Sequence, residues 1–312
     1  LLYFGAQWLV AGSTALALAL RIPQLIVGLT VVAYGTSTPE VIVSVQAALG
    51  GHPAVAIGNV VGSNVANIGL ILGIAAILSP ARVDGALRMR ELPVLLASTV
   101  MLVGMVANGD VSRFEGAVLL GCGLLYTAWM IRAARAGAEL AAASADAAVE
   151  RDSADEAGAP EARGIVRSAL IASFGLGVLL VGGSQFVSGA VSVAHALGMS
   201  ERLVGLTVVA VGTSLPELVT SVVAARRGHS DLAIGNVLGS NIFNVFLCLG
   251  AAALIADVPA DLQELAPDLV VLGVMTALAA VLIRSHRTIS RAEGAVPVVL
   301  YALFMATAIA RG

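Results

Sequence analysis

"GTSTPE" at residues 35–40 returns as "GTSLPE" at residues 212–217, and each copy lies inside a long apolar stretch. Proline has no amide hydrogen and pushes the residue before it out of the helical region, so Pro39 and Pro216 predict helices that break and restart. Inside a lipid core, the backbone groups freed at such a break are tolerated only where protein or an aqueous cavity satisfies them. The carbonyls of Ala33 and Ala210, one turn earlier, are expected to lack intrahelical partners. Thr36, Ser37, Thr213 and Ser214 put hydroxyls at the two breaks, and Glu40 and Glu217 put a carboxylate just past each.

The rest of the chain says what solvent those breaks face. Of 312 residues, 58% are apolar and 12% charged, with a mean hydropathy of +0.95, the balance of a chain dissolved in lipid. Apolar segments of about 20 residues recur, the length a helix needs to cross about 30 Å of hydrocarbon, and strand alternation is absent. The expectation is an all-α integral membrane protein with ten spans, at 2–20, 23–49, 54–78, 92–108, 114–133, 164–197, 203–225, 231–256, 267–283 and 292–310. The sixth is long enough to be tilted or kinked. The first lacks a basic flank and a small-residue cleavage pattern, so it reads as a span of a chain trimmed before Leu1 and not as a signal peptide. Cys122 and Cys248 fall within spans and read as packing residues.

Arginine tests this layout independently of hydropathy. With the N-terminus outside, 14 of the 17 arginines fall in or beside inner loops and three, Arg113, Arg202 and Arg311, fall outside. That is the bias of a cell-membrane protein with a cytoplasmic inner face. An extra or missing span near the middle would scramble it.

Residues 28–73 align without a gap to 205–250 at an offset of 177, and 29 of the 46 pairs are identical, a clear internal repeat. Each copy covers the second and third spans of a five-span half. Five is odd, so the second half enters the membrane upside down. The halves, 1–133 and 164–312, form two inverted-topology repeats whose interrupted helices meet at a midplane ion site. Residues 134–163, with seven acids and three arginines, read as a solvated cytoplasmic linker without the acid spacing of an EF-hand loop.

A second element, "GNVVGSNVAN" at 58–67 and "GNVLGSNIFN" at 235–244, spaces Asn59, Ser63 and Asn67, and likewise Asn236, Ser240 and Asn244, four apart on one helix face. Gly58 with Gly62, and Gly235 with Gly239, form pairs that let another helix approach closely. Glu40 and Glu217 are the only acids in the central part of any span, and burying one at that depth costs on the order of 3 kcal/mol. Two carboxylates with hydroxyls, amides and carbonyls form a hard oxygen cage suited to Ca²⁺ or Na⁺ and poor for zinc or copper. The bland alternative is that Ser37-x-x-Glu40 and Ser214-x-x-Glu217 are capping boxes serving only their own helices. For Asn59, Asn64, Asn236 and Asn241, interhelical hydrogen bonding is the better reading. His52 and His229 sit in matching turns and read as interfacial residues.

These residues resemble the sodium/calcium exchanger (cation/Ca²⁺ antiporter) superfamily in its prokaryotic form. The resemblance covers essentially the whole chain, and the G-T-S-x-P-E and G-S-N-x-x-N pair in each half is highly specific. It implies an antiporter moving Ca²⁺ outward against inward Na⁺ by alternating access, with the first and sixth spans sliding over the remainder. The ion ligands it implies are Thr36, Ser37, Glu40, Ser63 and Asn67 in the first repeat. In the second they are Thr213, Ser214, Glu217, Ser240 and Asn244, with backbone oxygens at Ala33 and Ala210. In several relatives, including the potassium-dependent branch, the position of Asn244 is aspartate. The cage here holds two carboxylates, which argues against potassium dependence. Proton-exchanging members carry a different acidic motif, so Na⁺ is favoured over H⁺. The transported ions and membrane lipid are the expected partners; no cofactor, nucleic acid, obligatory protein partner or enzymatic activity is expected. H⁺/Ca²⁺ exchange is the alternative, and a cation channel the rival from another class. A serine hydrolase would need a base, and the spans offer only His195 near an end.

Overall fold

The computed structural model describes residues 1–52, 54–83, 85, 87–149, 162–198, 210–285 and 288–311. The chain is mostly helical: α1 (Leu2–Ala19), α2 (Gln24–Thr36), α3 (Thr38–Leu49), α4 (Val55–Leu78), α5 (Leu92–Val106), α6 (Arg113–Val149), α7 (Ala162–Ala196), α8 (Ala210–Thr213), α9 (Leu215–Arg226), α10 (Ser230–Ile255), α11 (Leu262–Ser285) and α12 (Arg291–Arg311). Among the described residues, eight helices are long and apolar enough to cross a membrane, and α2 with α3, bent by 42°, are together apolar enough to be a ninth, as a broken span or a re-entrant loop. Within the span expected at 203–225, residues from 210 onward are helical in α8 and α9, and residues 203–209 lie outside the described ones. The linker expected from residue 134 begins as helix, since α6 continues to Val149; residues 150–161 of it lie outside the described set.

Proline at the first turn starts both restarted helices, where its missing amide would be unpaired anyway. Both end on a left-handed glycine, Gly51 (φ 81°) and Gly228 (φ 80°). Beyond each, the next amide reaches back, His52 to Ala47 O at 2.8 Å and His229 to Ala224 O at 2.9 Å, closing the last turn as a glycine C-terminus does.

Two kinds of packing divide the molecule. Helices α4 and α10 have 78% of their most apolar window buried inside the protein, against 22–39% for the other single-helix spans. They therefore form the core, and α2 crosses α10 with backbones touching. A Cβ on Gly28 would lie 2.6 Å from Leu232 O, and one on Gly235 would lie 2.6 Å from Leu25 O. The expected close approach at Gly235 and Gly239 is present. Among the described residues nothing lies within 4 Å of a Cβ placed on Gly58 or Gly62, and residues 205–209, which the 177 offset matches to 28–32, are outside the described residues. The long α7 pairs instead with α1, where Gly5, Gly12 and Gly175 leave no room for a side chain against the partner's backbone. Two short antiparallel ladders tie loops together: β1 (Ala81–Arg82) with β4 (Thr288–Ile289), and β2 (Asp110–Val111) with β3 (Val258–Pro259).

Candidate functional site

The two breaks fall at Ser37 (φ −80°, ψ 6°) and Ser214 (φ −87°, ψ 8°), each one residue outside a helix that carries proline in its first turn. Neither serine caps its own helix with its side chain, which rules out the capping-box reading. Each hydroxyl reaches across instead: Ser37 Oγ donates to Glu217 Oε1 at 3.1 Å and Ser214 Oγ donates to Glu40 Oε1 at 3.2 Å. The two acids therefore lie at one place between the motif copies, each 1% exposed. Thr213 sits beside Glu40 and Thr36 beside Glu217.

The asparagines opening the second element hold the restarted helices. Asn59 Nδ2 donates to Glu40 O at 3.1 Å and to Ser44 Oγ at 3.0 Å; Asn236 Nδ2 donates to Glu217 O at 3.3 Å and to Ser221 Oγ at 2.9 Å. Thr36 Oγ1 donates to Asn236 Oδ1 at 3.0 Å. Asn59 and Asn236 thus clamp the backbone of each glutamate, so the hydrogen-bonding reading of these two is the right one. Ser44 and Ser221, which complete the clamps, were missed; the identical spacing of "PE…S" in both copies was the available signal.

The second element does not remain regular α-helix. At Asn67 and again at Asn244 it widens into a π-helical turn, Asn67–Leu72 and Asn244–Leu249, a distortion that often marks functional positions. Asn244 Nδ2 donates to Ser63 Oγ at 2.9 Å and Asn64 Oδ1 at 3.1 Å, while Cys248 Sγ donates to Asn244 Oδ1 at 3.5 Å. Cys248 is therefore more than packing. The expectation of a partnerless Ala33 carbonyl is corrected: it accepts the Ser37 amide at 3.0 Å, because the helix keeps its turn up to the break. Ala210 opens α8 at the edge of the described residues.

Among the described residues, nine buried side-chain atoms have no partner: five belong to the expected ligand set, Glu40 Oε2, Glu217 Oε2, Ser240 Oγ and both polar atoms of Asn67, and four lie outside it, on Ser13, Thr14, Thr220 and Asn241. A buried polar group without a partner costs about 1–3 kcal/mol, and an ionised one more. Leftover acceptors concentrated in one interior are what a hard cation relieves. Among the described residues no three His, Cys, Asp or Glu side chains gather as a metal site; the charged groups of this interior are the two acids, set among neutral oxygens.

One buried acid escaped the sequence reading. Glu91, 6% exposed, stands before α5 and accepts a hydrogen bond from Tyr126 OH. The Tyr126 ring lies 6.0 Å from that of Phe243, which lies 3.9 Å from Tyr34, whose hydroxyl meets Thr127. Phe243 immediately precedes Asn244 and Tyr34 comes two residues before Thr36, so this cluster packs a segment of each motif against α6. Outside the spans, His229 Nδ1 meets Gln24 Oε1 at 3.0 Å. Burial, then the charge of Arg227, lowers its pKa below the ordinary histidine value.

Residues 1–132 and 168–310 match the family described as sodium/calcium exchanger protein. The chain is 36% identical over 301 residues to a putative antiporter, CaxA, of Alkalimonas amylolytica, covering 95% of this chain and 91% of that one. It is 29% identical over 327 residues to the sodium/calcium exchanger MaX1 of Methanosarcina acetivorans, covering 96% and 93%. Among solved structures, the sodium-calcium exchanger NCX_Mj soaked with 10 mM Na⁺ and zero Ca²⁺ superposes with a TM-score of 0.83 at 32% identity, covering 98% of this chain and 94% of the other.

Proposed function

The chain belongs to the sodium/calcium exchanger family, and from that premise we propose that it is a secondary antiporter exchanging Ca²⁺ for Na⁺ across the cell membrane by alternating access. Its ten spans form two inverted five-helix halves, with the N-terminus outside and residues 134–163 cytoplasmic. The two β ladders support that layout. Both partners of β1–β4 belong to loops on the arginine-rich inner side and both partners of β2–β3 to loops on the outer side; the 177 offset carries β1 onto β3 and brings β4 to within one residue of β2.

The observation that carries the reading is the reciprocal pair of serine–glutamate bonds, each leaving one carboxylate oxygen buried and unpartnered. Two ionised glutamates match the charge of one Ca²⁺. Na⁺ ions replace it by dividing the same oxygens, contributed by Thr36, Ser37, Ser63, Asn67, Thr213, Ser214, Ser240 and the carbonyls of Ala33 and Ala210. With neither ion bound, the pair would cross as uncompensated charge in low dielectric, and that penalty couples the two fluxes.

The halves differ in bulk on either side of the cage. Tyr34 and Phe243 stack toward the inner face, whereas their counterparts at the 177 offset are Val211 and Ala66. A cleft of about 630 Å³ reaches Thr213, Pro39 and Pro216 from beside Ser184 and Ser188 of α7. This arrangement supports a cage closed inward by aromatics and approached from outside along α7, the helix that with α1 slides to change access. The test is ⁴⁵Ca²⁺ uptake into proteoliposomes with Na⁺, K⁺ or H⁺ gradients imposed one at a time. Uptake driven by Na⁺ alone is expected; uptake driven by H⁺ and not by Na⁺ would overturn the choice of counter-ion.

A further inference from the structure

The cage is built from matched positions, yet its two asparagines have opposite fates. Asn67 and Asn244 occupy equivalent places at the start of matching π turns, 1% and 0% exposed. Neither polar atom of Asn67 has a partner, while both of Asn244 are engaged. The direction of the bonds is fixed from one end. The backbone carbonyl of Asn241 only accepts, and it takes Asn64 Nδ2 at 3.3 Å. Asn64 therefore turns its oxygen to Asn244, which must answer with its amide nitrogen, so Asn244 Oδ1 faces residue 248. Only a donor suits that place, and the chain has Cys248, a fully buried thiol. The matching position in the first half is Ile71, which has nothing to donate. A thiol is a weak donor, but an amide oxygen buried without any partner costs more than a weak bond returns.

We propose that Cys248 is a positioning residue whose thiol holds the Asn244 carbonyl out of the ligand set, leaving Asn67 as the one asparagine that meets the transported cations. This rests on the antiporter reading for its cargo and departs from the expectation that Asn244 is a ligand. A serine at 248 keeps the donor and so keeps Asn244 turned away. An alanine frees the Asn244 oxygen and adds it to the cage, where it favours the ion that needs more oxygens.

The test is binding of Ca²⁺ alone and Na⁺ alone to the purified protein, read by calorimetry for Cys248→Ala, Cys248→Ser and Asn67→Ala, with the melting temperature recorded for each. Cys248→Ala is expected to change the ratio of the Ca²⁺ and Na⁺ affinities by about threefold or more in a protein that still melts cooperatively, and Cys248→Ser to keep the original ratio. Asn67→Ala is expected to weaken binding about tenfold. Adding Asn244→Ala to Cys248→Ala should bring the ratio back, because the freed oxygen is then gone. An unchanged ratio in Cys248→Ala, or the same change in Cys248→Ser, overturns the proposal. Because binding is measured without transport, a protein that binds Ca²⁺ in this pattern yet does not exchange it sinks the antiporter reading alone.

Discussion

Two copies of nearly the same sequence meet at the centre of this molecule and satisfy their polar groups differently. In both, a serine crosses to the opposite glutamate at 3.1–3.2 Å and an asparagine clamps the backbone of its own side's glutamate. One turn further on the likeness fails: Ser63 donates to Val60 O and accepts from Asn244, while Ser240 has no partner. Where two matching strips cross, a donor that serves one side is not available to the other, so similarity of sequence does not become similarity of hydrogen bonding. At positions where the two copies differ, Tyr34 against Val211, Phe243 against Ala66 and Cys248 against Ile71, the two sides have different neighbours.

The strongest challenge to the matched part of this comparison is removal of one charge. Glu40→Gln or Glu217→Gln should each lower Na⁺-driven ⁴⁵Ca²⁺ flux by about a hundredfold or more while the protein still inserts and runs as a single species on size exclusion. Near-normal flux in either variant would mean that the two acids do not share a cation.

A smaller effect probes the helix crossings. Gly235→Ala forces a methyl to within 2.6 Å of Leu25 O and should cost about 1–3 kcal/mol of stability in a denaturation series. If the halves are equivalent, Gly58→Ala, the matching substitution at the 177 offset, costs a similar amount. A neutral Gly58→Ala would break the equivalence.

Smaller again, Ser37→Ala and Ser214→Ala each remove one hydrogen bond to a carboxylate. Each should weaken Ca²⁺ affinity by about tenfold, with the two values alike. Unequal losses would extend the asymmetry from the asparagines to the acids.

The smallest expected effect is at His229, whose pKa is lowered in the folded protein. The unfolded chain takes up a proton near the ordinary value of 6.5 that the folded chain resists, so stability is present above that pH and lost as pH falls through it. The residue is only partly buried, so solvent screens the effect: the melting temperature should drop by only about 1 °C between about pH 7.5 and about pH 5.5, and this drop should vanish in His229→Gln.

Much of the fold was legible because lipid imposes a simple code. Span positions follow from apolar length, and the expected 54–78 and 231–256 appear as Val55–Leu78 and Ser230–Ile255. The site was legible in its acids and hydroxyls, since Pro39 and Pro216 announce a break and an acid beside a break has few other uses. Glu91 was not, because an acid at the end of a span reads as interfacial until Tyr126 is seen to bury it. Nor were the π turns, since no residue type encodes an extra backbone unit as proline encodes a missing amide.

By itself the sequence determined that this chain lives in a membrane, that it repeats itself, and that two acids sit where charge is costly, because hydropathy, periodicity and proline act locally along the chain. Only the tertiary structure decided which hydroxyl answers which carboxylate and which asparagine is left without a partner. Those choices depend on groups about 180 residues apart competing for the same few donors, and no local pattern records who wins.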